Sequence, residues 1–481
     1  MVSPIPVQPD ALSHKQIQAG IGALIGSAVA DALGAPFEFK PAGTYKERFP
    51  KPLLGGIGEL VGGGGFGWGP GEFTDDTQMA LAMAEALLSQ ECEFEAEVVW
   101  RHFVAWAASA TDIGNTTIRS LSHPDYRVAS KVAHETLGGS GSNGSVMRTA
   151  PLGLLGVQWG QEKTIRIARE QSRLTHYDDI AGWCSALVAE VIRQCILGAS
   201  FNKALYGALQ TLPGDVHDVI SPLVVTDWDR DALVGLNNSS ALVCFTQAVW
   251  AIRATDSFED AVIAAVNLGG DADTVAAVCG AMAGAVYGIQ QIPARWVTYV
   301  NGVVRQPTGE SKSYRHFDLS NVAHQLLGKP ARPFYPPEPV VPVTEIHEAG
   351  LYASNLAGAR LVDPDFAVIS LCRTEHSLSH VERRREFYII DEWDEGHNPH
   401  LHEVVSDAVT SINSFMREGR NVLVHCHGGR SRTGLILKAW YMQHHGVDHE
   451  AAHEWLEEQW PHYVTWNSDF NKFLTYNWGT K

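Results

Sequence analysis

Cysteine is sparse and without pattern: there are seven in 481 residues, an odd number with no C-x-x-C pair. That usage excludes a disulfide framework and fits a reducing cytoplasm. Basic residues are also in deficit, 36 Lys and Arg against 54 Asp and Glu, for a formal net charge of −18. A general phosphate-backbone binder usually shows a basic face, so broad nucleic-acid binding is not expected. A small anionic ligand is not, because a few Arg side chains and backbone N–H groups hold phosphate inside an acidic protein. The N-terminus, MVSPIPVQPDALSHKQIQAG, lacks a basic region followed by an apolar core, so no secretory signal is expected. Long hydrophobic runs are missing too. The longest, Val275 to Ile289, falls short of the ~20 residues of a membrane span and reads as a buried helix rich in Ala and Gly. The expected setting is cytoplasmic, with no membrane partner.

What is present is enough chain for two or three domains, with a normal apolar share of 45%. The plainest break is GKPARPFYPPEPVVPVTE, Gly328 to Glu345, whose prolines exclude a regular helix and most ladder pairing. Domains are therefore expected over 1–328 and 343–481, with a Pro-rich linker over 329–342. Upstream, runs such as IGALIGSAVADALGAPFEF and VAAVCGAMAGAVYGI are too long and too Ala-rich for strands. They predict a compact, mostly α bundle of closely approaching helices, with loops at GGIGELVGGGGFGWGPG and GGSGSNGS. Downstream, FAVISL, EFYII and NVLVHC read as strands. They alternate with a helix whose Val405, Val409, Ile412 and Phe415 share one face. This half is predicted to be a small α/β domain with a central sheet.

Two helix starts carry unusual acids. GEFTDDTQMALAMAEALL, Gly71 to Leu88, puts Thr74, Asp75, Asp76 and Thr77 at the mouth of an apolar helix. Capping is the simplest explanation, since Thr or Asp at an N-cap accepts an orphan N–H and acids suit the first turn. But NLGGDADTVAAVCGAMAGAVYGI repeats the arrangement with Asp271, Asp273 and Thr274. Four carboxylates entering a core are costly unless a cation neutralises them. Their oxygens, with those of Thr, are hard ligands suited to Mg²⁺ or Mn²⁺ rather than zinc.

The stretches GALIGSAVADALGAPFEF, GEFTDDTQMA, DIGNTT, GSNGSVMRTAPLGLL, SRLTHYDD, NLGGDADTVAAVCGAMAGAVYG and IPARW occur in the order found in the ADP-ribosylglycohydrolase family. The first ~330 residues resemble that family, which includes the enzyme that reactivates dinitrogenase reductase. Ala30, where the family often has Gly, is a small steric departure. The resemblance implies an all-α fold holding two divalent cations, Mg²⁺ or Mn²⁺. It assigns Thr74, Asp75, Asp76, Asp271, Asp273 and Thr274 as metal ligands and Glu38 as a catalytic carboxylate residue that helps position water or substrate. Ser142, Asn143 and Gly144 match a loop contacting ADP-ribose, and His176 lies in an LTH element of the family; by itself that histidine reads equally as a core or cap residue. Asp31 reads as a structural hydrogen-bonder.

VLVHCHGGRSRTGLILKAWYM follows a predicted strand and opens a helix. Cys426 and Arg432 are separated by five residues, His427, Gly428, Gly429, Arg430 and Ser431, whose glycines let successive N–H groups face inward. A helix N-terminus and neighbouring Arg favour the nucleophilic thiolate of a cysteine placed there. Arg432 suits bidentate contact with phosphate, and Thr433 suits bonding the thiolate as it leaves. Most of Val343 to Lys481 resembles the cysteine-dependent tyrosine and dual-specificity phosphatases. That resemblance implies His425 before the nucleophile and a general acid upstream in EFYIIDEWDEGHNPHL, Asp394 or its rival Asp391. The remaining six cysteines read as ordinary buried thiols. The combined expectation is a bifunctional hydrolase acting on ADP-ribosylated and on phosphorylated proteins or small molecules. The alternative is a non-hydrolytic ADP-ribose-binding module attached to an active phosphatase.

Overall fold

The computed structural model describes residues 12–331, 338–392 and 396–479. The chain divides into two compact units: Met1–Lys51, Leu60–Ile292 and Tyr299–Arg332 form the first, and Pro52–Glu59, Pro293–Thr298 and Pro333–Lys481 the second. All seven cysteines are unpaired.

The first unit is built around α1, His14–Gly34, and five further helices matter here: α2 (Asp75–Ser89), α3 (Ala150–Trp159), α4 (Asp179–Ile196), α5 (Ala241–Arg253) and α6 (Ala272–Tyr287). Ser13 and Gln16 close α1 with a capping box, and every residue from Gln18 to Gly34 is buried. By length and composition the helix His14–Phe37 is apolar enough to cross a membrane, yet its apolar 18-residue stretch is entirely buried inside the protein. Its glycines explain how it is covered. A Cβ on Gly22 would strike the Gly284 carbonyl, and one on Gly284 would strike that of Gly22. Gly26 and Gly280 repeat the contact one turn on, and Gly34 lies against the Asp273 backbone. Backbone-to-backbone approach of α1 and α6 thus brings the end of one helix to the start of the other. Gly284→Ala is expected to lower stability by about 1–3 kcal/mol, because the obstacle is main chain and cannot rotate away. Thermal unfolding followed by circular dichroism measures this.

The departure from an all-helical unit, among the described residues, is an antiparallel ribbon of β1 (Asn301–Arg305) and β2 (Ser311–Arg315). The short alternation of NGVVR around a QPTG turn is too brief to stand out from sequence. It has a positional effect: the Phe73 N–H donates to Asn301 O (2.9 Å), fixing the residue before Thr74.

The second unit holds a five-stranded sheet in the order β3-β4-β7-β5-β6, where β3 is Thr344–His347, β4 Leu351–Asn355, β5 Ala367–Ser370, β6 Arg383–Glu386 and β7 Val422–Cys426. β3 is antiparallel to β4 and the other pairs are parallel. β7 is central and buried along its whole length, as its unbroken VLVHC run requires. On one face it packs with Val405, Val409, Ile412 and Phe415 of α7 (Leu401–Arg417), the face foreseen for that helix. Leu423 and Val368 meet Val362, Leu378 and Val381 on the other. The EFYII strand is displaced: the paired segment is Arg383–Glu386, and only Glu386 of that stretch joins the ladder. Register explains the shift. β5 ends at Ser370, so Phe387 makes the last bond to the sheet (N–H to Ser370 O, 2.9 Å) and the following residues run on beyond it. Arg385 is fully buried, donating to the Leu54 and Gly56 carbonyls (3.1 and 2.9 Å) and lying over the Phe415 ring. α8 (Ser431–His445) leaves the end of β7.

Candidate functional site

Neither acidic helix start is used for capping. Thr74 is the N-cap of α2 and Asp271 that of α6, and neither side chain makes a cap bond. The cap of α2 comes from α1. The Asp31 carboxylate accepts the Thr74 N–H (3.0 Å), the Thr77 N–H (3.0 Å) and the Thr77 hydroxyl (2.6 Å). Asp31 therefore does the hydrogen bonding expected of it, and neither Asp75 nor Asp76 is needed to cap α2. It also does more. Carboxylate oxygens of Asp31, Asp76 and Asp273 fall within 4.8 Å of one another, as do those of Glu38, Asp271 and Asp273, so Asp273 belongs to both triplets. Thr74 and Thr274 turn their hydroxyls to Asp76 Oδ2 (3.1 and 3.4 Å). Asp75 is in neither triplet, but its carboxyl lies in the field of Asp112, Asp273, Asp31 and Asp271.

The rim is assembled from the GSNGS loop and α4's approach. Asn143 donates to Asp271 Oδ2 and to Asn238 O, both at 3.0 Å, while Asn238 Oδ1 accepts the Asp271 N–H (2.9 Å). His176 lies behind the Ser142 side chain of this loop. It is fully buried, bonded through Nε2 to Ser142 Oγ (2.9 Å) and through Nδ1 to Thr175 Oγ1 (2.8 Å). Burial first, and then Arg148, push its pKa down to about 3, so it is a neutral strut behind the loop. Gly144 gives it room, since a Cβ there would lie 3.0 Å from the imidazole.

In the second unit Cys426 ends β7 with 2% exposure, and its register partner on β4 is Asn355. His425 is buried behind it, bonded to Ser370 Oγ (2.8 Å). Gly429 takes φ +68°, where its α-carbon passes against the Ser354 carbonyl, and its own carbonyl accepts from Trp460 Nε1 (2.7 Å). α8 opens without a side-chain cap, leaving its N-terminus directed at the loop. Arg432 is held by the Leu371 and Ile389 carbonyls (2.9 and 3.4 Å) and by Asp391 (3.4 Å). The Thr433 hydroxyl is buried without a hydrogen-bond partner among the described residues. Asp394 lies outside the described residues. Asp391 is occupied by Arg432 and by Asn467 Nδ2 (3.1 Å).

Residues 13–330 match the sequence profile described as ADP-ribosylglycohydrolase. The chain belongs to the ADP-ribosylglycohydrolase family. Residues 366–477 match the profile of the dual specificity phosphatase catalytic domain, so both parts are of hydrolase families. The chain is 32% identical over 319 residues to the ADP-ribosylarginine hydrolase Tri1 of Serratia proteamaculans (strain 568), covering 64% of this chain and 78% of that one. It is 29% identical over 281 residues to the ADP-ribosyl-dinitrogen reductase glycohydrolase of Rhodospirillum rubrum, with 58% and 88% covered. A solved ADP-ribosylglycohydrolase-related protein complex aligns at 30% identity and a TM-score of 0.52, over 65% of this chain and 98% of that one.

The glycohydrolase family is generally dependent on divalent cations, and the donor set here fits them. All donors are oxygens. Asp76 Oδ1 is buried with no hydrogen-bond partner, and none of the clustered carboxylates pairs with Lys, Arg or His among the described residues. Burial, followed by mutual repulsion, pushes Asp75, Asp76 and Asp273 well above the ordinary carboxylate range. Glu38 is raised to about 8 by burial, then by Asp112, Asp271 and Asp31. Asp31 and Asp112 are each raised to about 6, chiefly by burial. Asp112 is the residue that sequence reasoning passed over. It opens the DIGNTT motif, and the signal available was its place in a stretch already matched to the family.

These shifts set a pH dependence. Without a cation the folded state binds protons that the unfolded state releases, so stability falls as pH rises from about 5 to about 8. Metal-stripped protein is therefore expected to melt higher at the acid end of that window. Saturating Mn²⁺ should raise the melting point most at the alkaline end. Scanning calorimetry with and without chelator measures both, and a melting point indifferent to cation across the window would contradict the assignment.

Proposed function

We propose that this chain is a bifunctional hydrolase that removes ADP-ribose from ADP-ribosylated arginine and cleaves phosphate monoesters through a phosphocysteine. The two activities are assigned to 1–328 and 343–481, joined by the segment 329–342. The observation that carries the first is that two helix starts nearly two hundred positions apart gather uncapped carboxylates around one shared residue, Asp273. The arginine linkage is supported by the names of the relatives.

Thr74, Asp75, Asp76, Asp271, Asp273 and Thr274 would hold the divalent cations, Mg²⁺ or Mn²⁺, with Asp31 close enough to join them. When bound, such cations orient ribose hydroxyls and lower the pKa of water. Glu38 is assigned to stabilise positive charge developing on the ribose and to take a proton from water as its oxygen bonds to the anomeric carbon; the bond from that carbon to nitrogen breaks, and the departing guanidine nitrogen takes up the proton. Asn143 holds Asp271 in place, and Ser142, braced by His176, and Gly144 shape the loop that would take the diphosphate.

In the second unit Cys426 would attack phosphorus, forming the S–P bond as the ester P–O bond breaks. The loop His427 to Ser431 and Arg432 cradle the phosphoryl oxygens. Asp394 is assigned on its spacing from Cys426 as the acid that protonates the departing oxygen, with Asp391, which lies against Arg432 and Asn467, as its rival. Water then cleaves the phosphocysteine, with the Thr433 hydroxyl donating to the leaving thiolate. Release of ADP-ribose from an ADP-ribosylarginine peptide with added Mn²⁺ or chelator, alongside phosphate release from an aryl phosphate, tests both halves. Cation-independent or absent ADP-ribose release would overturn the first, and an inert aryl phosphate the second.

A further inference from the structure

The phosphate loop has a carboxylate at its edge that no part of the phosphatase reading uses. Glu338 stands with Oε1 3.5 Å from His427 Nδ1 and Oε2 3.7 Å from Arg430 Nη2. Both oxygens lie 3.2–3.3 Å from the point where a Cβ of Gly428 would sit, so the group lies over the loop's glycine. Its position is fixed from behind. Asn355, fully buried and the register partner of Cys426, donates through Nδ2 to Pro339 O (2.7 Å) and accepts the Val341 N–H (3.1 Å). Ser354 Oγ donates to Val341 O (2.7 Å), and the Leu356 N–H donates to His427 O (3.1 Å). The end of β4 thus binds the loop on one side and the segment carrying Glu338 on the other.

A negative group held beside an anion cradle works against the phosphate it neighbours. It also cancels the charge of Arg430, which is otherwise exposed at the rim. We propose that Glu338 is a specificity-determining residue of the phosphatase site, selecting phosphomonoesters with a cationic rather than an acidic group next to the phosphate. The inference rests on the phosphatase reading given above. With Glu338 present the rim is neutral to negative, and a substrate cation gains from it. With the carboxylate removed, Arg430 is left uncompensated and the rim attracts anions instead.

The test compares kcat/KM of the full-length protein for two aryl phosphates, one with a para-carboxylate and one with a para-trimethylammoniomethyl group. The wild type should prefer the cationic ester. Glu338→Gln should shift the ratio toward the anionic ester by about five- to tenfold at low salt, and Glu338→Asp should keep the wild-type order. A variant that merely loosened the fold would lose rate on both esters alike and leave the ratio in place, so an unchanged ratio overturns the inference whatever the melting point. Wild-type protein inert toward both esters would overturn the phosphatase reading itself, and this inference with it.

Discussion

Cys426→Ser is expected to lower phosphate-ester turnover by at least about a thousandfold while leaving ADP-ribose release unchanged. The hydroxyl of Ser fits where the thiol was, since Cys426 is 2% exposed at the end of a buried strand and the exchange adds no volume. What is lost is the nucleophile. A serine hydroxyl needs a base to become reactive, and the neighbouring His425 cannot serve, being bound to Ser370 and pushed down to about 4, chiefly by burial. The cradle should survive, because Arg432 is anchored by carbonyls of Leu371 and Ile389 rather than by the cysteine. Inorganic phosphate should accordingly still bind the variant with an affinity near that of the wild type. Equal loss of both activities would show that the substitution had damaged the chain as a whole.

Asp273→Asn is expected to do the converse, abolishing ADP-ribose release by a similar factor and sparing phosphate release. Asp273 is the shared member of both carboxylate triplets, so its loss affects every arrangement of cations the cluster could hold. The amide keeps the shape and can still accept the Thr274 N–H (3.0 Å in the parent). The fold should tolerate the change well. Without cation, the amide removes a carboxyl whose ionisation burial and then Asp76, Asp271 and Glu38 oppose, and the metal-free variant should melt no lower than metal-free wild type. With Mn²⁺ the order should reverse, because only the wild type gains from binding. Melting and activity measured on the same preparations separate this from simple unfolding.

The sequence disclosed the types of chemistry better than their supports. The two acidic helix starts, the Cys-to-Arg loop and the α/β texture after the prolines were all legible, because each is local: a cap position, a glycine pair, a period of two or of 3.6. Asp31 was legible only in part. Its capping of α2 depends on a helix ending 41 positions before Asp75, a distance at which no periodicity reports contact. The full burial of His176 behind Ser142 gave no sign in the sequence, since burial is decided by tertiary packing. The displaced β6 strand shows the same limit from the other side. Arg383–Glu386 has the composition of a surface turn, yet pairing with β5 and partners for Arg385 make it a strand. Glu338 sat unnoticed in a stretch read only for its prolines.

The glycohydrolase assignment stands or falls on one cage of carboxylates, and Mn²⁺ titration of the full-length protein followed by electron paramagnetic resonance tests it most directly. The expected result is saturation at two ions per chain with an exchange-coupled spectrum, as ions about 4 Å apart would give, and loss of that coupling in Asp273→Asn. Ions that bind singly and uncoupled, or that bind the variant as tightly as the wild type, would contradict it.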